Sequence, residues 1–407
     1  MANYDSNQFT IRYRAASTVP AYVLAMTTPY QVRRMENGAY GDLSPTNGTS
    51  TLNSAMPADY VANGASRGSS EGVSCRAVID SWSGGFGAEE GSALYVTGGG
   101  HKDGCQNGVY TFDYSGTTRP TGWTCRGESL VANIPVLSAG GTSASPYPDG
   151  RPTSTHSWAG GCLDATGQAL FRFGGTPWGD TPNNTSYNWR HDLTVAASGN
   201  PWSAPHAIPD FSGQPSATAY YFSLIDKVTR RIFIGGAYDM AWCVFYDIAT
   251  NTFTSLAKTL PLPATPAYDP DRGQILSLSG SGHVVFPINF AARTAGADTA
   301  VTISGLGVAN SASLVYDSGM RRYWAFGGAG GSPGWTTLYE IIPNTGAGTP
   351  ATAFTCVPHT LTGDAIPVIS QGGSYNRWFF NRTWRTIGTI ASNTSAPCLI
   401  RLPDAIY

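Results

Sequence analysis

Charge is scarce in this chain, and long apolar runs are missing. Only 12% of the 407 residues are charged, and 24 Lys and Arg nearly balance 26 Asp and Glu. No basic excess is present to neutralise phosphates, which argues against a nucleic-acid partner. No run approaches the roughly 20 apolar residues that span a bilayer, and the N-terminus lacks the basic start and apolar core of a secretory signal. We therefore expect synthesis in the cytoplasm without a signal peptide, and no membrane insertion.

Cysteine spacing gives no metal or redox motif. The seven cysteines include no CxxC pair and no spacing typical of metal ligands. An odd, scattered set is more typical of buried thiols than of a disulfide framework. Cys105 and Cys125 bracket the third predicted strand of the first repeat, so a disulfide between them stays open as an alternative. We predict neither a metal nor a cofactor.

A short apolar strand that ends in two glycines recurs along the chain. β-Branched and aromatic residues favour strands, and glycine gives the backbone the freedom that a strand exit needs. The copies are LYVTGGG from Leu94, LFRFGG from Leu170, RIFIGG from Arg231 and YWAFGG from Tyr323, with degraded copies ILSLSG from Ile275 and WFFN from Trp378.

Acidic residues mark two further positions in each repeat. Four Asp residues precede the strand ends by nine or ten positions: Asp164, Asp226, Asp269 and Asp317. Because Asp accepts hydrogen bonds from its own turn backbone, we interpret these four as structural residues of the turn between strands one and two. An aromatic or polar residue followed by an acid marks the end of strand three: Phe112-Asp113, His191-Asp192, Tyr246-Asp247 and Tyr339-Glu340.

These marks predict repeated sheets of four antiparallel strands, the building unit of a β-propeller. We count six units, over residues 75–127, 150–203, 214–257, 260–305, 310–358 and 363–404. The last unit shows three strands, IPVIS, RWFFN and CLIRL, so we expect an N-terminal strand to close the ring, with FTIRYR at residues 9–14 as the candidate. The alternative is that this segment is an independent arm that docks on a partner. The chain then divides into an N-terminal segment, 1–75, and a propeller, 76–407.

The double glycine, the later aromatic-acid pair and the aromatic residue that follows it resemble kelch repeats. The strings GGGHKDGCQNGVYTFD at 98–113 and PDGRPTSTHSWAGG at 148–161 are similar to a bacterial and phage branch of kelch-like, galactose-oxidase-type propellers. The resemblance implies an all-β, six-bladed kelch-like β-propeller of four-stranded antiparallel blades. It does not select a function, because propellers of this kind host enzymes, binding modules and scaffolds.

Blade geometry predicts one rim of loops on which the polar and aromatic residues meet. The loop between strands two and three emerges on the same face as the loop that enters strand one. His with Asp suits acid-base work and Arg suits a carboxylate or sulfate, whereas the alternative is that Asp103 and Arg151 tether loop backbone. The ligand-binding candidates are His101, Lys102, Asp103, Arg151, His156, Trp158, Trp178, Tyr238, Trp242 and Trp335.

We predict a non-catalytic structural or recognition module. The neutral, Gly-, Ser-, Thr- and Asn-rich composition is similar in style to phage virion proteins, which suggests a tail, fibre or head-decoration component on the virion surface. Its partners would be a glycan or host surface receptor at the rim, and other virion or assembly subunits through the N-terminal segment.

Two other functions stay open. One is a carbohydrate-active enzyme of the galactose-oxidase-like superfamily, although the two His and two Tyr copper ligands of the oxidase cannot be assigned here. The other is a cellular kelch scaffold. A sialidase is disfavoured because the chain has no Asp box of the type SxDxGxTW.

Overall fold

The computed structural model describes most of the repeat region and part of the N-terminal segment. The candidate strand FTIRYR at residues 9–14 lies outside the described residues. Those residues are 19–35, 78, 84–89, 91–100, 104–116, 122–134, 146–177, 187–196, 199–203, 206–207, 222–236, 242–256, 258, 264–279, 282–307, 312–327, 335–366, 374–391 and 396–404.

Short strands make up nearly all the regular structure. A single-turn helix, α1, covers Ala21–Leu24, and a 3₁₀ turn covers Val131–Asn133. The strands of the N-terminal part are β1 (Gln31–Arg34) and β2 (Ala88–Glu89). The first sheet contains β3 (Ala93–Val96), β4 (Val109–Asp113) and β5 (Gly122–Arg126).

The second unit contains a four-stranded sheet and a separate two-stranded ribbon. The ribbon pairs β6 with β9, and the second sheet has the order β11-β10-β8-β7. The sequence also predicts a long loop over residues 176–190 between the second and third strands of this unit, but Thr176–Pro177 and Tyr187–Asp192 are strands, so the loop is shorter than expected. The strands are β6 (Thr155–His156), β7 (Gly161–Asp164), β8 (Ala169–Phe173), β9 (Thr176–Pro177), β10 (Tyr187–Asp192) and β11 (His206–Ala207).

The third, fourth and fifth sheets follow the repeat most closely: the third and fifth run strand by strand from first to last, and in the fourth both β19 and β20 pair with β18. The third has β12 (Phe222–Asp226), β13 (Arg231–Gly236), β14 (Trp242–Asp247) and β15 (Thr252–Leu256). The fourth has β16 (Ala264–Asp269), β17 (Gln274–Ser279), β18 (His283–Asn289), β19 (Thr294–Ala295) and β20 (Thr299–Val301). The fifth has β21 (Ala312–Asp317), β22 (Arg322–Gly327), β23 (Thr337–Pro343) and β24 (Phe354–Thr360).

The last sheet joins the two ends of the chain. It contains β25 (Thr362–Gly363), β26 (Trp378–Asn381), β27 (Thr386–Thr389) and β28 (Cys398–Arg401), in the order β2-β26-β27-β28-β1-β25. Strand β1 is antiparallel to β28, pairing Val32 with Ile400, and parallel to β25, pairing Gln31 with Thr362. A strand from the N-terminal segment therefore lies between two strands from the C-terminal part.

Neighbouring sheets meet along their first strands, as in a β-propeller. Strand β7 contacts β12, β12 contacts β16, β16 contacts β21, and β3 contacts β26 and β27. The fold is accordingly all-β, with small antiparallel sheets in a propeller arrangement.

The prediction of six four-stranded blades is wrong. Across the described residues, five sheets have four or more strands, and the first has three. Of the first strand expected for the 75–127 unit, the described residues 84–89 show one bridge to the next strand, between Gly85 and Val96. Glycine packs no side chain and is weak in strands. An added Cβ at Gly84 would lie 1.4 Å from the Trp158 carbonyl oxygen, so close backbone approach requires glycine here.

The segment WFFN is a first strand, not a degraded copy of the glycine-ended second strand. It forms β26, and Asn381 at its end accepts a hydrogen bond from the Trp384 N–H at 2.8 Å. Asp317 accepts in the same way from the Met320 N–H at 3.2 Å. The second strand is β27, TIGT, which the sequence reading missed because it carries no aromatic residue.

The structural interpretation of the four repeated Asp residues is confirmed. Each ends a first strand. Asp226 accepts from the Thr229 N–H at 2.9 Å and Asp269 accepts from the Arg272 N–H at 3.1 Å. Asp164 instead accepts from Arg230 of the third sheet at 2.6 Å. These residues hold turns and tether neighbouring sheets.

The core lies between the sheets, and the N-terminal segment contributes to it. Tyr22 and Met26 are buried in a cluster with Phe112 of the first sheet. Val32 is buried in a second cluster with Trp324 and Trp378 of the fifth and last sheets. Full burial of such a side chain stabilises the fold by about 1.5–3 kcal/mol. The N-terminal segment thus packs on both neighbours of the last sheet.

Two further predictions concern membrane-spanning segments and disulfides. Among the described helices, none has the length and apolar character needed to cross a membrane. No disulfide joins any of the six described cysteines, so the alternative of a Cys105–Cys125 disulfide is wrong.

Candidate functional site

The predicted rim residues are divided between described and undescribed parts of the chain. Trp242 opens β14, and only its backbone is described. Arg151, His156, Trp158 and Trp335 are fully described. The five that lie outside the described residues are His101, Lys102, Asp103, Trp178 and Tyr238. The convergence of His101 and Asp103 with Arg151 and His156 therefore stays a prediction.

Arg151 tethers the backbone between the first and second sheets. Its guanidinium donates a hydrogen bond to the carbonyl oxygen of Glu128, and Nη1 lies 3.7 Å from a carboxylate oxygen of Asp149. The backbone N–H of Arg151 also donates to Asp149 at 3.2 Å. These contacts match the tethering alternative for this residue.

His156 and Trp158 lie inside the fold. They are 6% and 5% exposed, and their rings meet edge to face with centroids 5.8 Å apart. His156 belongs to the ribbon of β6 and β9, and Trp158 has a left-handed backbone with φ of 42°. Trp335 is partly buried and stacks on Phe326 at 5.0 Å. The described aromatic candidates thus pack on the scaffold.

Glu128 is the centre of a polar network that sequence reasoning missed. Its carboxylate accepts hydrogen bonds from the N–H groups of Asn107 and Gly108 at 2.8 and 3.0 Å, and from the Tyr110 hydroxyl at 3.0 Å. Burial raises the pKa of the Glu128 carboxyl to about 7, although these donors and nearby Arg151 act against the shift. Its only sequence signal is an acid two residues after a strand end, which is not distinctive.

Asn107 connects this network to the chain that links the first two sheets. Its amide donates to Ser129 Oγ at 2.8 Å and to the Pro152 carbonyl at 2.7 Å. Ser154 Oγ donates to the Gly104 carbonyl at 2.9 Å and accepts from the Gly100 N–H at 2.8 Å. The loop that carries residues 101–103 is therefore anchored at both of its described ends.

Arg172 and His191 are buried titratable side chains on the same side of the second sheet. Arg172 is 1% exposed, lies 5.4 Å over the Trp202 ring and donates to the Thr153 carbonyl at 2.8 Å. Burial lowers the pKa of Arg172 to about 10, so the group stays charged at neutral pH. His191 meets Trp202 edge to face at 4.8 Å, and burial lowers its pKa to about 4, which keeps the ring neutral.

A pocket opens at the centre of the ring, where the first strands meet. Its interior volume is only about 30 Å³, and the wider space at its mouth is open to solvent. The lining includes Ser223, Tyr268, Tyr316, Asn376 and Trp378, from strands or strand entries of four sheets. Glu89 and Lys227 also line it and form an ion pair of 2.9 Å. The sequence marks of the repeat predicted the strands, but not which side chains face the axis.

The chemistry available in the described residues is mainly hydrogen bonding and aromatic contact. Within the described ranges, no group of three or more His, Cys, Asp or Glu side chains could hold a metal ion. In comparisons with known proteins, no family model and no curated protein matches the chain.

Proposed function

We propose that this chain is a non-catalytic kelch-like propeller that serves as a structural and recognition module. In this proposal it is a component of a phage tail, fibre or head decoration, and it binds a glycan or protein surface on the host. The observation that supports the proposal is the position of the charged side chains among the described residues. Asp164–Arg230, Asp317–Arg385 and Arg151–Asp149 pair at junctions between sheets.

Ion pairs at these positions hold neighbouring sheets in a fixed arrangement. In this proposal, mainly neutral groups then bind the ligand. Binding residues are commonly presented by loops on a rigid scaffold. Two of the predicted rim loops, at residues 178–186 and 328–334, carry mainly Gly, Ser, Thr, Asn, Pro and Trp, with Asp180 as their single charged residue, whereas the loop at residues 101–103 carries Lys102 and Asp103. Neutral hydroxyl and amide groups beside aromatic rings suit uncharged polyhydroxylated ligands.

A binding assay on the purified chain tests this function. Glycan arrays and intact bacterial cells should both retain the protein, with saturation and with little loss at high salt, because exposed charge pairs are screened but neutral contacts are not. Detection of the chain in purified virions would support its place in a particle. Oxidation or hydrolysis of a bound sugar would favour the enzyme instead, and failure to bind any glycan or cell would overturn recognition.

A further inference from the structure

The central pocket has a mouth on the face opposite the predicted loop rim. Lys227 begins the turn after β12, and Glu89 ends β2, which pairs with β26 of the last sheet. Their side chains meet at 2.9 Å although they come from different sheets. The ion pair therefore reaches across the mouth of the pocket and places an acceptor beside a donor.

The pair retains hydrogen-bonding capacity for a ligand. Glu89 and Lys227 side chains are 38% and 27% exposed, so solvent reaches both. An ammonium has three donors and a carboxylate has about four acceptor sites, so one contact between them leaves several unused. Two adjacent hydroxyl groups could therefore bind together, one accepting from Lys227 and one donating to Glu89.

Deeper in the pocket, the lining combines neutral polar groups with aromatic rings. Ser223 is 2% exposed, and its Oγ lies beside the Cys162 thiol, a weak partner, with no other hydrogen-bond partner among the described residues. The Trp378 indole N–H donates to the Asn376 side chain at 3.2 Å, which fixes that ring. Tyr268 is partly exposed, and its ring packs against Phe290 with centroids 4.7 Å apart.

We propose that this pocket mouth binds an uncharged ligand with adjacent hydroxyl groups, the chemistry of a neutral monosaccharide unit. The inference rests on the proposed recognition function and adds to it a second site, on the face opposite the predicted loop rim. An ion pair with no net charge favours a neutral ligand, because a charged ligand attracted to one partner would be repelled by the like charge of the other.

Saturation-transfer NMR and calorimetry with neutral methyl glycosides (glucoside, galactoside, mannoside and N-acetylglucosaminide) test the site. At least one glycoside should bind the parent protein. Lys227→Met and Glu89→Gln should each weaken that binding by about tenfold or more, the effect of losing a hydrogen bond to a charged group. Arg190→Met removes a comparable ion pair, with Asp192 at 3.1 Å, away from the pocket and should leave binding unchanged.

The outcomes separate the site from the broader function. Equal binding by parent and pocket variants, or no glycoside bound by the parent, overturns the pocket proposal. Array or cell binding that survives both pocket variants refutes this site while it keeps the recognition function. If either single variant unfolds, the exchanged variant Glu89→Lys, Lys227→Glu keeps the pair: a changed glycoside affinity supports the site, and an unchanged one contradicts it.

Discussion

An ion pair joins the second sheet to the third, whereas among the described residues no ion pair joins the first sheet to the second. Asp164 contacts Arg230 at 2.6 Å across one junction. At the other, the Trp202 indole N–H of the second unit donates to the Gly127 carbonyl at 2.9 Å, and Arg172 lies over the Trp202 ring without a carboxylate in salt-bridge range among the described residues. The repeat supplies an Asp at the end of β7, β12, β16 and β21, and Asn381 takes this place in β26. In the first sheet, where the described residues show one bridge at Gly85, the junction with the second sheet uses a backbone carbonyl and an aromatic ring.

The largest effect should come from breaking a buried tether. Asp317 is fully buried, contacts Arg385 at 2.8 Å and accepts from the Trp324 indole at 3.2 Å. Asp317→Asn would leave the Arg385 charge buried without its counter-charge, and we expect a loss of about 3–5 kcal/mol in the free energy of unfolding. Urea denaturation measures it.

The same substitution in an exposed ion pair is the control for Asp317→Asn. Asp404 pairs with Arg401 at 2.6 Å, but its side chain is 84% exposed. Asp404→Asn should therefore change the free energy of unfolding by about 1 kcal/mol or less. Similar effects of the two substitutions would contradict a special role for the buried tethers.

The junction between the first and second sheets should instead make the free energy of unfolding depend on pH. The folded-state pKa of Glu128 is raised from 4.5 to about 7, so its contribution to stability is complete below pH 4.5 and is lost as pH rises through 7. The folded-state pKa of His191 is lowered from 6.5 to about 4, so its contribution is complete above pH 6.5 and is lost as pH falls through 4.

Between pH 4.5 and 6.5, Glu128 and His191 change the free energy of unfolding in opposite directions. Each change is at most about 1.4 kcal/mol per pH unit. Glu128→Gln should uncover the rise in stability with pH that His191 produces. His191→Phe should uncover the fall that Glu128 produces. Chemical denaturation across this range measures both, and parallel pH profiles for the parent and both variants would contradict the assignment.

The smallest difference in the free energy of unfolding should be between substitutions of two arginines, Arg230 and Arg172. Arg230→Met leaves Asp164, whose side chain is 3% exposed, without its partner, and should cost about 1–2 kcal/mol because Arg230 itself is 37% exposed. Arg172→Met removes a buried charge and keeps a similar volume, so the change should stay within about 1 kcal/mol of zero. Thermal unfolding compares them, and a larger loss for Arg172→Met would reverse the comparison.

The sequence predicted the repeated strands better than it predicted their number. The glycine-ended strands and Asp turns of the third to fifth sheets follow from local rules, since strand preference and turn chemistry act within about ten residues. The first sheet departs because backbone crowding around Gly84 depends on Trp158, far along the chain. Such a contact has no local pattern.

The site was harder to predict than the fold for the same reason. His156 and Trp158 resemble rim residues in sequence, but the ribbon of β6 and β9 turns them inward. Glu128 gains its partners from residues about twenty positions away, and Glu89 meets Lys227 only after the ring has formed. Convergent side chains follow from the three-dimensional arrangement rather than from spacing.

The position of β1 constrains how the chain can fold during synthesis. Its pairing partners, Ile400 and Thr362, are more than 300 residues later in the sequence. Residues 31–34 therefore leave the ribosome long before the strands on either side of them exist. Contacts of such wide separation are slow to form because a long loop must close first. Until Cys398–Arg401 has left the ribosome, the last sheet stays incomplete, and nascent chains are exposed to chaperones, to proteases and to each other.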